Sequence, residues 1–173
     1  MQEYEIKFLE INPAEIIKKL DLLWAEREYD TVIEADFFID EKGNKVRLRK
    51  SETGNTLTYK IRNLESWILH NDEYEVMFSD YATMCRIFLA LGFVRYGHSK
   101  KHRIQYVLAW THYDIDTYEG IPTYLEIEWR SVEAVQSAIQ KLDLRFEEGI
   151  ALNERDLRAR YGELPDELPP LSQ

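Results

Sequence analysis

Most of the chain alternates apolar and polar side chains with a period of two, as strands do when one face meets a core and the other meets polar surroundings. The first such stretch, EYEIK, places Glu3, Glu5 and Lys7 on one strand face and Tyr4, Ile6 and Phe8 on the other. The period changes to that of a helix in NPAEIIKKLDLLWAE, where Ile16, Leu20, Leu23 and Trp24 form one stripe. Its start is marked by Asn12 as N-cap, Pro13 at the first helical position and Glu15 completing a capping box. From about Val32 strands return: EADFFID, the turn EKGN, KVRLRK, the turn ETGN, TLTYKIR and, after a longer connection, DEYEVMF. A second helix is predicted over about Tyr81–Leu91, with Gly92 as its C-cap. GFVRYG, KKHRIQYVL, THYDIDTY and PTYLEIEWR read as further strands, VEAVQSAIQKL as a helix capped by Ser131, and NERDLRARYG as a short one capped by Asn153. About eight strands against three or four helices, joined mainly by short turns, predict an α+β fold. The expected form is an antiparallel β-barrel, closed or nearly closed, with helices packed outside. This domain spans 1–162, and the acidic, proline-rich stretch 163–173 reads as an irregular tail.

The polar strand faces carry an uncommon mixture. Surface strands usually mix Thr, Ser, Lys and Gln, whereas here carboxylates are paired on some strands and cations on others. Arg47 and Arg49 share a face, as do Lys60 and Arg62, Glu73 and Glu75, Lys101 and Arg103, Asp114 and Asp116, and Glu126 and Glu128. An open sheet with one solvated face accounts for any single strand of this kind. The whole set fits a curled sheet whose Leu/Ile/Tyr face carries the helices and whose charged face points inward. Arg62, Glu73 and Asp114 follow the alternation but are placed near the tunnel mouths, where exposure to solvent competes with a role in the site.

Composition narrows the possibilities. With 173 residues, 45% of them hydrophobic and 31% charged, the chain is expected to form one globular domain. A net charge of -10 argues against a general nucleic-acid binder, but leaves room for a small polyanion if the basic residues are gathered in one place. No targeting stretch opens the chain and no apolar run reaches membrane-spanning length, so a cytoplasmic protein without membrane contact is expected. The single cysteine, Cys85, excludes an internal disulfide and reads as a helix residue without a chemical role. Monomer and homodimer both remain open.

An inward charged face has a chemical use. Carboxylate pairs suit hard divalent cations such as Mg²⁺ or Mn²⁺, and clustered Arg and Lys clamp phosphate oxygens. Either set alone would be costly to bury, whereas acid, base, metal and polyphosphate together neutralise one another. Phosphoryl transfer depends mainly on positioning and electrostatics, which this set would supply. His70, His98, His102 and His112 show no ligand spacing, and Ser99 and Cys85 lack a base partner. The four tryptophans and eleven tyrosines are expected mostly in the core beneath the helices.

In order along the chain, these residues resemble the CYTH domain superfamily of class IV adenylyl cyclases and thiamine triphosphatases, the triphosphate tunnel metalloenzymes. The resemblance rests on E-x-E-x-K at Glu3, Glu5 and Lys7, R-x-R at Arg47 and Arg49, Lys60, Glu75, K-x-R at Lys101 and Arg103, Asp116, and E-x-E at Glu126 and Glu128. It implies a closed eight-stranded antiparallel β-barrel, a tunnel that binds a triphosphate and a divalent metal, with Asp116, Glu126 and Glu128 as metal ligands and Glu3 and Glu5 holding a second metal or its water. It further implies that Lys7, Arg47, Arg49, Lys60, Lys101 and Arg103 line the triphosphate path, that Glu75 orients them or contributes to the metal side, and that Glu3, Glu5 and Lys60 serve catalysis. The chain departs from the family where EGIPTYLEIE replaces an LG turn, and where NERDLRARYG stands in for a tunnel-plugging helix, so Arg155 and Arg158 receive no role.

The resulting expectation is divalent-metal-dependent hydrolysis of inorganic triphosphate or of a small organic triphosphate such as thiamine triphosphate. An adenylyl cyclase forming cyclic AMP and pyrophosphate from ATP is the enzymatic alternative. Cyclases of the family carry an HF pair before E-x-E-x-K that is not seen here, which favours hydrolysis. A non-catalytic polyphosphate-binding module is the alternative of another class.

Overall fold

A computed structural model describes the backbone of residues 2–65 and 68–162 and, within that range, the side chains other than those of residues 2, 60–65 and 69–71. The strands are β1 (Gln2–Phe8), β2 (Glu26–Ile39), β3 (Lys45–Ser51), β4 (Gly54–Glu65), β5 (Ile68–Phe78), β6 (Val94–Leu108), β7 (Thr111–Tyr118) and β8 (Ile121–Trp129). The helices are α1 (Pro13–Leu22), α2 (Tyr81–Ala90), α3 (Val132–Lys141) and α4 (Glu154–Arg160). All strand pairs are antiparallel, in the order β1-β5-β4-β3-β2-β6-β7-β8, and β1 pairs with β8 as well as with β5. The eight antiparallel strands and the α+β class match the expectation from the sequence.

Strand alternation sorts the side chains as the periodicity predicts. From the outer face of the sheet, Ile6, Phe8, Tyr113, Ile115, Leu125 and Ile127 are buried against Ile16 and Leu20 of α1 and Val135, Ala138 and Ile139 of α3. Each such aliphatic side chain contributes about 1.5–3 kcal/mol of hydrophobic stabilisation. A second cluster sets Tyr81, Cys85 and Phe88 of α2 on Phe38, Val46 and Leu48. Helix starts lie where expected: Asn12, Ser131 and Asn153 accept from the backbone N–H of Ala14, Ala134 and Asp156, each at 3.1 Å, and Asp80 caps α2 from Thr83 at 2.9 Å. No helix among the described residues is long and apolar enough to cross a membrane. The stretch 163–173 lies outside the described residues.

Three expectations are corrected. β2 begins at Glu26, not near Val32, and GFVRYG and KKHRIQYVL belong to one strand, β6. The two strands pair from Glu26↔Val107 to Ile39↔Val94, with irregularities at Arg27/Tyr29 and Phe37/Phe38. Glu26, Arg27, Glu28 and Asp30 are exposed on this ladder, so no apolar alternation marks them as strand. Trp24 and Trp110, 91% and 76% exposed, stand outside the core on turn residues with φ of 59° and 72°.

Behind α2, Asp36 forms a polar knot on the outer face. It is 3% exposed and accepts from the Tyr81 hydroxyl at 2.9 Å, Arg95 Nε at 2.7 Å and His98 Nδ1 at 2.9 Å. Burial pushes its carboxyl up, but the bonds from His98, Arg95 and Tyr81 prevail and hold it below its ordinary value. A depressed folded pKa adds stability that is present at neutral pH and lost as pH falls below about 4. Asp36→Asn is therefore expected to destabilise the protein by about 2 kcal/mol at pH 7. In urea titrations the gap to the wild type should narrow at pH 3, and a gap that stays constant between the two pH values would contradict this account.

Candidate active site

The inner face of the sheet is built by register. Thr31, Arg103, Asp116 and Tyr124 stand opposite one another across β2, β6, β7 and β8. One row on, Gln105, Asp114, Glu126 and Lys7 align across β6, β7, β8 and β1. Glu5 and His112 then flank Glu128. On the other side Arg47, Thr58 and Glu75 align across β3, β4 and β5, with Arg49 two residues from Arg47. The charged face of EYEIK thus points to the interior. Lys7 is held there by backbone bonds to Ile150, its N–H donating at 3.0 Å and its carbonyl accepting at 2.9 Å. A Cβ on the preceding Gly149 would come within 2.3 Å of Ile6, so that close approach requires glycine.

On the β1/β6/β7/β8 wall the charges are joined in one knot. Lys7 Nζ lies 2.9 Å from Glu5 Oε1 and 2.5 Å from Glu126 Oε2. Lys101 Nζ donates to Asp116 Oδ2 at 2.7 Å. Arg103 donates through Nε to Asp116 Oδ1 at 2.7 Å, through Nη2 to Asp116 Oδ2 at 2.6 Å and to Glu126 Oε1 at 3.2 Å, and pairs through Nη1 with Asp114. Tyr124 donates to Asp116 at 3.1 Å and Gln105 to Asp114 at 2.7 Å. Lys7, Lys101, Arg103, Asp114, Asp116 and Glu126 are all less than 9% exposed.

The pKa directions separate the paired groups of this wall from Asp114. Burial disfavours the charged forms of both Lys7 and Glu126. Lys7 is nevertheless raised by Glu126 and Glu5, and Glu126 is held well below its ordinary value by Lys7, Arg103 and Lys101. Burial and then Arg103 lower Lys101. Asp114 is pushed up to about 7, first by burial and then, against Arg103, by Glu128, Asp116 and Glu126. The expectation that Asp114 lies near a solvent-exposed mouth is therefore corrected, since it is 0% exposed and sits in the knot.

The β3 wall is less completely paired. Arg47 donates through Nη2 to Thr58 Oγ1 at 3.2 Å and approaches Glu73 at 3.4 Å, yet its Nε is shut off from solvent without a hydrogen-bond partner among the described residues. Arg49 Nε is in the same state, and burial followed by repulsion from Arg47 and Arg103 lowers the guanidinium pKa. Such orphaned donors call for an acceptor. Glu75, although exposed, accepts from Thr58 at 2.9 Å. The side chains of Lys60 and Arg62 lie outside the described residues.

Glu3 lines a small cavity of about 100 Å³ with His112, Glu128, Trp129 and Arg130, the His112 and Trp129 rings stacked at 5.7 Å. Oxygen donors on β1, β7 and β8 therefore have the hardness and surplus charge that suit a divalent cation. Among the described residues no three His, Cys, Asp or Glu side chains converge as a ready-made cage. Glu5, Glu126 and Asp116 are instead engaged by Lys7, Lys101 and Arg103. Two tyrosines expected under the helices, Tyr118 and Tyr124, belong to this interior and pack on Leu157 of α4. Arg158, given no role from the sequence, lies over the Tyr118 ring at 5.7 Å.

The CYTH domain model matches residues 1–160. A search of curated proteins gives no match. Among solved structures, a protein of Pyrococcus horikoshii OT3 superposes with a TM-score of 0.78 at 24% identity, over 90% of this chain and 98% of that one. A candidate adenylate cyclase of Vibrio parahaemolyticus gives 0.76 at 13% identity, over 91% and 97%. A candidate adenylyl cyclase of Hippeastrum with a dominant triphosphatase activity gives 0.62 at 16% identity, over 95% and 98%. At these identities the similarity is one of fold.

Proposed function

Because the chain belongs to the CYTH domain family, we propose that it hydrolyses a triphosphate, inorganic or carried by a small organic group, inside a closed tunnel and with a divalent metal. The observation that carries this reading is the pair of buried, unpartnered Nε donors on Arg47 and Arg49, set in the same interior as a surplus of carboxylates. A polyanion would satisfy the first and a hard cation the second. Inorganic triphosphate or the terminal phosphates of an organic one would lie along Arg47 and Arg49, with Lys101 and Arg103 at its far side. Lys7, paired with Glu5 and Glu126, would add a positive charge beside the phosphate path. Mg²⁺ or Mn²⁺, held by Glu126 and Glu128 with Asp116 and by Glu3 and Glu5, supplies Lewis-acid neutralisation of the phosphoryl oxygens when bound. Glu3 and Glu5 orient the attacking water, with Lys60 as the further catalytic residue.

The test is a product assay with Mg²⁺ or Mn²⁺, offering inorganic triphosphate, thiamine triphosphate and ATP separately. Orthophosphate release is expected, reduced at least a hundredfold in Glu126→Gln, on the order of the loss of one transition-state contact. Cyclic AMP and pyrophosphate from ATP would move the reading to a cyclase. Tight triphosphate binding without turnover would make the protein a binding module.

A further inference from the structure

We infer that Thr58, to which no role is assigned by the motif residues, is a positioning residue that fixes Arg47 for triphosphate binding, an inference that rests on the function proposed above. Thr58 is 1% exposed and lies in register between Arg47 and Glu75, so its hydroxyl is the middle member of a cross-strand relay. Its Oγ1 accepts from Arg47 Nη2 at 3.2 Å and donates to Glu75 Oε2 at 2.9 Å. The polarity of that relay has only one solution. A guanidinium can only donate and an ionised carboxylate can only accept, so the single hydroxyl proton points to Glu75 and the lone pairs face Arg47.

The consequence lies in what remains of Arg47. Thr58, with Glu73 at 3.4 Å, holds the Nη2 edge of the guanidinium, while the Nε donor stays buried and without a partner. The relay therefore anchors one edge of a long side chain to the sheet and leaves another donor for an anion. A free arginine must give up its rotamer freedom on binding, whereas an anchored one has lost much of it already. Glu75 acts through Thr58, which gives this carboxylate a place in the site without contact to phosphate.

Thr58→Val removes the hydroxyl at nearly constant shape, and Thr58→Ser keeps the hydroxyl while removing the methyl. With the full chain, Mg²⁺ and inorganic triphosphate, Thr58→Val is expected to raise Kd and KM about tenfold, with kcat within about twofold of wild type. Thr58→Ser is expected to behave as wild type. A merely structural residue would instead lower the thermal midpoint without this split between KM and kcat. Wild-type or tighter affinity in Thr58→Val, or equal impairment in Thr58→Ser, overturns the inference. Arg47→Ala separates the two levels: if it loses affinity while Thr58→Val does not, only the positioning role falls. If wild type itself does not bind triphosphate, the proposed function and the inference fall together.

Discussion

Arg49→Met is expected to make the ligand-free protein more stable while weakening triphosphate binding by about a hundredfold, a loss of about 2.7 kcal/mol. Arg49 carries a buried Nε without a hydrogen-bond partner among the described residues and is repelled by Arg47 and Arg103. Attraction from Glu75 offsets this repulsion only in part, so the net effect still disfavours the charged guanidinium. An apolar side chain of similar length relieves both costs, and comparable replacements of buried charge stabilise by about 1 kcal/mol or more. The same substitution deletes the donors that would meet the phosphate oxygens. The order of stability should therefore reverse on adding ligand, because a ligand at a hundred times its Kd stabilises wild type by about 2.7 kcal/mol and the variant hardly at all. Thermal unfolding with and without inorganic triphosphate, beside a calorimetric titration, reads both effects. A variant that is less stable than wild type and still binds would contradict the assignment of Arg49 as an anion-binding cation.

Arg103→Met is expected to have the opposite sign, destabilising the ligand-free protein by about 3–5 kcal/mol. The two residues are of one type and both face the interior, but Arg103 is saturated: Nε and Nη2 hold Asp116, Nη2 reaches Glu126 and Nη1 pairs with Asp114. Removing it leaves Asp114, 0% exposed, with the neutral Gln105 as its bonded partner, and leaves Asp116 and Glu126 to Lys101 and Lys7. Without the guanidinium, Asp114 and Asp116 would take up protons more readily in the folded state than in the unfolded one. A raised folded carboxyl pKa costs stability increasingly as pH climbs from the unfolded value to the folded one, so the defect should be larger at pH 8 than at pH 5. Adding Asp114→Asn and Asp116→Asn to Arg103→Met removes the stranded charge and should recover much of the loss. Equilibrium urea unfolding at the two pH values tests this. A mild, pH-independent defect would mean that the knot contributes little.

Much of this architecture was legible along the chain. Period-two alternation predicted which side chains of β1, β3, β6, β7 and β8 share a face, and strand geometry leaves few other choices. The helix starts were legible too, because Asn12, Ser131 and Asn153 cap their helices through bonds to residues two or three positions away. The start of β2 was hidden because Glu26–Asp30 pair with β6 while remaining mostly exposed, so hydrogen bonding shaped this strand without leaving an apolar signature.

Alternation by itself determined which charged side chains share a face within each strand, Glu5 with Lys7, Arg47 with Arg49, Asp114 with Asp116, since a side chain's face depends only on its parity along the strand. Only the tertiary structure decided which of them are satisfied. Arg49 and Arg103 look alike in R-x-R and K-x-R, and Asp114 differs from Asp116 by one turn of the pleat. Three carboxylates on β7 and β8 meet Arg103, while Arg49 is repelled by Arg47 on its own strand and by Arg103 on β6, which Glu75 on β5 only partly offsets. Charge neutralisation is a property of distance in space and of burial, both set by the register of non-neighbouring strands, so the division of this interior into a saturated knot and an anion-seeking wall is written in the fold.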